Sequence, residues 1–160
     1  MIRNCRPYDA PRICEISNHF VVDTYATFEL EPVSDQVMSE RIQATTRYYP
    51  WLVYEVDDMI AGYTYATQWK PRAAYKHSAE CTVYVAPALS GKGIGSTLIR
   101  ELLVRLKPIG IHSVLAGIAL PNESSVALHE KLGFEQVAHF RETGRKFNRW
   151  IDVGYWERHT

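Results

Sequence analysis

Ser78-Ala79-Glu80-Cys81-Thr82-Val83-Tyr84-Val85, then Ala86-Pro87 and Ser90-Gly91-Lys92-Gly93-Ile94-Gly95, passes from a strand pattern into a glycine loop. From about Gly95 to Leu106 the pattern turns helical, with Leu98, Leu102, Leu103 and Leu106 on one side. This strand, loop and helix is the organising unit of the chain. Upstream, Met1 to Asn4 reads as a short strand and Asp9 to about Val22 as a helix, with Ile13, Ile16 and Phe20 at helical spacing. Val33 to Thr46 reads as a second helix capped by Ser34 or Asp35, with Val37, Met38, Arg41 and Ile42 along one side. Trp51 to Val56 and Met59 to Gln68 are rich in β-branched and aromatic residues, and Asp57-Asp58 between them predicts a tight hairpin. Downstream come a strand over Ile111 to Leu120, a short helix over Ser124 to Leu132 stopped by Gly133, and two strands, Phe134 to about Arg141 and roughly Ile151 to Trp156. The order is mixed α/β, antiparallel in the first half and built of βα units in the second.

The bulk properties narrow the function. A length of 160 residues suits one domain, with one active site. Lys plus Arg and Asp plus Glu are equal at 18 each, so no excess of positive charge is available to neutralise a run of phosphates. That argues against a nucleic-acid or membrane-surface binder and for a small polar ligand. Met1-Ile2-Arg3-Asn4-Cys5 lacks the apolar run of a signal peptide, and no later segment suits a membrane span, so a cytoplasmic location is expected. Cys5, Cys14 and Cys81 fit neither a disulfide framework nor a zinc site, and no metal is expected.

Closely spaced glycines before a helix let backbone N–H groups approach an anion, and the helix dipole adds to the attraction. Gly91, Gly93 and Gly95 meet that requirement, although such glycines can also serve the turn alone. A dinucleotide fingerprint would need a third glycine where Ser96 stands, and an NTP loop would end in Gly-Lys-Ser/Thr, whereas no lysine separates Gly95 from Ser96-Thr97. Neither NAD nor ATP is favoured.

Val83-Tyr84-Val85-Ala86-Pro87, the loop, Leu120-Pro121-Asn122-Glu123-Ser124-Ser125 and Leu132-Gly133-Phe134 resemble the Gcn5-related N-acetyltransferase (GNAT) superfamily. The resemblance implies a single-domain fold with a mixed, mostly antiparallel central sheet flanked by helices. It also implies acetyl-CoA as co-substrate. Val83, Tyr84 and Val85 would then pair with the pantetheine arm, Ser90, Gly91, Lys92, Gly93, Ile94, Gly95 and Ser96 would hold the pyrophosphate, and Asn122 would help to hold the arm. The family loop commonly begins with Arg or Gln; Ser90 stands here, with Lys92 as a compensating charge.

Two further stretches are more specific. Trp69-Lys70-Pro71-Arg72-Ala73-Ala74-Tyr75 with Glu80 to Val85, and Leu128 to Phe134 with Lys146-Phe147-Asn148-Arg149-Trp150-Ile151-Asp152-Val153, resemble phosphinothricin and methionine sulfoximine N-acetyltransferases. The implied substrate is an amino acid whose side chain ends in a tetrahedral phosphinate, sulfoximine or sulfone. Lys70, Arg72 and Tyr75 suit its oxygen-bearing groups, Arg72 through its planar pair of donors. Phe28 resembles an aromatic that caps the amino-acid pocket, or it is an ordinary core aromatic.

Strand alternation places Glu80, Thr82 and Tyr84 on one face, expected to line the cleft, and Cys81, Val83 and Val85 on the other. Glu80 is the candidate general base that deprotonates the substrate ammonium. His129 is a base, an acid or a positioning residue. Cys81 as a covalent acyl carrier is disfavoured, because it turns away from Glu80. The N–H of Val85 or a neighbour would stabilise charge on the acetyl oxygen. The aromatic segment with Phe147, Trp150, Tyr155 and Trp156 serves either a homodimer, as the family implies, or internal packing. Another amine substrate, or a non-catalytic acyl-CoA-binding module, remains the alternative.

Overall fold

The computed structural model describes residues 1–160. Its strands are β1 (Ile2–Asn4), β2 (Trp51–Val56), β3 (Met59–Gln68), β4 (Ser78–Val85), β5 (Ser113–Leu120), β6 (Glu135–Lys146) and β7 (Arg149–His159). Its helices are α1 (Ala10–Asp23), α2 (Asp35–Thr46), α3 (Ile94–Leu106) and α4 (Glu123–Lys131). The strands form one sheet in the order β1-β2-β3-β4-β5-β7-β6, and every neighbouring pair is antiparallel except β4 and β5.

Alternation sorts the side chains into two cores. On one face Cys81, Ala79, Val114, Ala116 and Trp156 pack with Leu98, Ile99, Leu102 and Leu106 of α3. On the other, Trp51, Val53 and Tyr63 pack with Ile13 and Ile16 of α1 and Met38 and Ile42 of α2. Ser34 caps α2, its hydroxyl accepting from the Val37 N–H at 3.3 Å. Asp57 and Asp58 both take positive φ, 49° and 59°, as the tight β2–β3 hairpin requires.

The last third departs from the sequence expectation. β6 and β7 run several residues beyond Phe134 to Arg141 and Ile151 to Trp156, and they meet at a two-residue turn in which Phe147 and Asn148 have φ of 52° and 59°. A phenylalanine at positive φ is a poor turn signal. A register shift between Phe140 and Gly144 also breaks the period-two pattern by which the strand would have been recognised. β5 starts at Ser113 rather than Ile111, and α4 begins at Glu123 because Asn122 is its cap.

Candidate active site

β4 and β5 pair only from Ser78 to Glu80 and from Ser113 to Leu115. Beyond Glu80 the two strands part. Because β4 stays paired with β3 along its other edge, residues 82–85 turn an open backbone edge toward the gap. A cleft of about 480 Å³ fills that gap, within the usual range for a small-molecule site. Its walls are Cys81 to Val85 from β4 and Ala116 to Ala119 from β5, closed at one end by the glycine loop and along one side by Asn122 and α4. The cleft therefore follows the edge of β4 and touches consecutive residues, not the polar face alone as alternation had suggested.

Ser90, Gly91, Gly93, Ile94, Gly95 and Ser96 line the loop end. Gly91 and Gly93 have φ of 76° and 80°, and a methyl group on either would meet no protein atom within 4 Å. Backbone conformation and open approach, not packing, thus require glycine there, and α3 begins directly behind. Lys92 is exposed and is not among the residues that line the cleft. Asn122 caps α4: its Oδ1 accepts from the Ser125 N–H at 3.2 Å and from the Ser124 hydroxyl at 3.1 Å. Its side-chain NH2 remains to donate into the cleft. An extended donor-lined gap ending in an anion-binding loop fits the pantetheine and pyrophosphate of acetyl-CoA.

Glu80 is not among the residues that line the cleft; it lies at the last β4–β5 pair, where the strands begin to part. Its carboxylate lies beside Gly117 and Tyr155: a Cβ on Gly117 would fall 3.0 Å from the Tyr155 ring and 3.1 Å from Glu80 Oε1. Burial pushes the Glu80 carboxyl above the ordinary value of 4.5, and Lys70 works against that shift. The Lys70 ammonium sits 4.9 Å from the Trp69 ring centre, and Trp69 meets Tyr155 edge-to-face at 5.1 Å. Phe140 meets Tyr155 from the other side at 5.9 Å. Arg72 and Tyr75 stand on an exposed turn over Ala73–Tyr75, without hydrogen-bonded contact to these groups. Phe28 is 39% exposed, which removes the core-aromatic reading, and its ring lies on the backbone of Gly144.

His129 is buried in α4 and lines the cleft. Its Nδ1 donates to the Ser125 carbonyl at 2.8 Å, and its ring meets Phe134 edge-to-face. Burial pulls its pKa below 6.5, so the neutral ring offers Nε2 as an acceptor and holds no spare proton near neutral pH. Cys81 is buried under α3 with its thiol pushed up to about 12, chiefly by burial, which leaves little thiolate to carry an acyl group.

Trp69, Gly117, Phe140 and Tyr155 were not among the sequence candidates. Only Trp69 gave a signal, its neighbourhood to Lys70 and Arg72; the other three reach Glu80 through strand pairing alone, Gly117 opposite Tyr155.

A seven-stranded sheet opened between its only parallel pair, with a glycine loop feeding a helix at the gap, defines the class. The chain belongs to the GNAT acetyltransferases: the family model for the acetyltransferase (GNAT) domain matches residues 2–154. Membership makes it an acyltransferase. Among individual relatives, the phosphinothricin N-acetyltransferase of Streptomyces viridochromogenes is 40% identical over 157 residues, covering 98% of this chain and 86% of that one. A GNAT superfamily phosphinothricin acetyltransferase from Sinorhizobium meliloti, solved in complex with acetyl-CoA, superimposes with a TM-score of 0.95 at 34% identity, covering 99% of this chain and 87% of that chain. A ribosomal-protein-alanine N-acetyltransferase from Brucella melitensis superimposes with a TM-score of 0.97 at 32% identity, over 100% of this chain and 99% of that chain.

Proposed function

We propose that the protein transfers the acetyl group of acetyl-CoA directly to the α-amino group of amino acids with a tetrahedral side-chain head, of the phosphinothricin, methionine sulfoximine and methionine sulfone type. The observation that carries this reading is the half-buried Glu80 carboxylate at the last β4–β5 pair, where the strands begin to part, with Lys70 close enough to act on its charge. Glu80, directly or through a water, takes a proton from the substrate ammonium; the neutral amine attacks the thioester carbon, the C–N bond forms, and the C–S bond breaks. The departing thiolate takes up a proton, leaving the N-acetyl amino acid and free CoA. Backbone N–H groups on the open edge of β4 stabilise charge on the acetyl oxygen, and holding both reactants in one cleft replaces a bimolecular encounter. Lys70, with Arg72 and Tyr75 on the adjoining turn, meets the oxygen-bearing groups of the substrate, and Phe28 caps it.

A second reading, acetylation of an alanine-terminated protein, draws on the Brucella melitensis neighbour. The cationic Lys70 and Arg72 beside the site favour a free carboxylate over a peptide. The test is release of free thiol from acetyl-CoA with phosphinothricin, methionine sulfoximine, methionine sulfone, polyamines and an alanine-terminated peptide. We expect release with the first three. Release with the peptide only would establish the second reading, and release with none would point to a binding module.

A further inference from the structure

We propose that Lys146 is a positioning residue for the amino substrate, acting through the segment Tyr25 to Phe28 that it pins across the mouth of the cleft; the kinetic part of the proposal rests on the N-acetyltransferase reading above. Lys146 lies near the end of β6, 119 residues from its partner in sequence. Its side chain is buried, 3% exposed, and its ammonium donates to the Thr27 carbonyl at 2.9 Å. Glu29, paired with Arg41, lies near enough to favour the charge, and the ammonium stands 5.2 Å from the Phe147 ring centre, but its one hydrogen bond goes to the neutral Thr27 carbonyl. A buried ammonium resting on a neutral acceptor is costly, and an apolar side chain would fill the same space without that cost. Packing alone therefore does not account for a lysine here.

The segment it holds connects directly to the site. Tyr25 donates its hydroxyl to the Pro121 carbonyl at 2.6 Å, beside Asn122, while Arg149 of β7 stacks over the Tyr25 ring at 5.8 Å. Ala26 forms part of the cleft wall. The Thr27 hydroxyl accepts from the Glu29 N–H at 3.3 Å, while its carbonyl receives Lys146. Phe28 lies on Gly144, where a methyl group would intrude into its ring. Four consecutive residues are thus fixed between the cofactor side of the cleft and the β6–β7 hairpin. Lys146 and Gly144 are the two points at which β6 holds the segment, and through it they set where Phe28 meets the substrate.

The experiment compares wild type with Lys146→Met, which keeps the volume and removes the charge, and with Gly144→Ala, which displaces Phe28 from the other side. Hydrogen exchange of residues 24–31 is followed together with the KM of whichever amine the wild type acetylates and the Kd of acetyl-CoA. We expect faster exchange confined to that segment, an amine KM raised about tenfold with a smaller change in kcat, and an unchanged acetyl-CoA Kd. Exchange or amine KM at the wild-type value in Lys146→Met, or an equal rise in the acetyl-CoA Kd, overturns the proposal. Should Lys146→Met fail to fold, Gly144→Ala decides by the same criteria. If the wild type acetylates no amine, the functional reading fails by itself, and the exchange of residues 24–31 still decides whether Lys146 pins the segment.

Discussion

Glu80 combines two properties at one residue: enough burial to raise its affinity for a proton, and a place at the last β4–β5 pair, where the strands begin to part. A carboxyl with a raised pKa is a better base for an ammonium than a free glutamate, and general-base catalysis contributes about 10²- to 10⁴-fold. Glu80→Gln should lower kcat by at least about a hundredfold while leaving the Kd of acetyl-CoA unchanged, as measured by steady-state kinetics and calorimetry. The wild-type acid limb of kcat/KM should lie above 4.5 and vanish in the variant. Stability separates loss of chemistry from loss of fold. Because the folded pKa is raised, the native state holds the proton longer than the unfolded chain, and stability falls as pH rises from the ordinary value through the folded one. At neutral pH the charged carboxylate is therefore a cost that glutamine removes, and thermal unfolding of the variant should come no earlier than that of wild type. An inactive variant that melts several degrees lower would count against Glu80 as the base.

At the scale of elements, the glycine loop with α3 and Asn122 with α4 are two helix starts facing one gap. Asn122 has two tasks on one side chain: its oxygen caps the helix and its amide faces the cleft. Loss of a cap of this kind costs about 1 kcal/mol. Asn122→Ala should lose about that much in urea unfolding and should raise the KM of acetyl-CoA while leaving that of the amine unchanged. A loss of stability without a change in the acetyl-CoA KM would reduce Asn122 to a cap. The first half of the chain was legible at this scale because its apolar residues recur with clean periods and its turns carry Asp57-Asp58, Pro87 and the glycines. The C-terminal hairpin was not, since the shift between Phe140 and Gly144 and the unusual Phe147 turn hide a pair of long strands.

At the scale of the molecule, the resemblance implies a homodimer, and the C-terminal aromatics differ in exposure. Trp156 is core, donating its indole N–H to Glu130, whereas Phe147 and Trp150 are 52% and 58% exposed at the tip of the β6–β7 hairpin. β6 is also an edge strand with one unpaired side. A second copy of this chain covering that tip would remove the exposed rings from water. Trp150→Glu is expected to shift the protein from dimer to monomer in sedimentation equilibrium without altering its circular dichroism. A wild type that sediments as a monomer would dismiss the idea.

By itself the sequence determined what local rules control: the helices through their periodicity, the turn before α3 through its glycines, and the alternation that puts Glu80 and Cys81 on opposite faces of β4. Only the tertiary structure decided that β4 and β5 part just after Glu80, that Gly117 and Tyr155 meet its carboxylate, and that Lys146 reaches back to Thr27. These depend on strand order and register, which bring together residues tens of positions apart and leave no period or spacing in the chain from which they can be read.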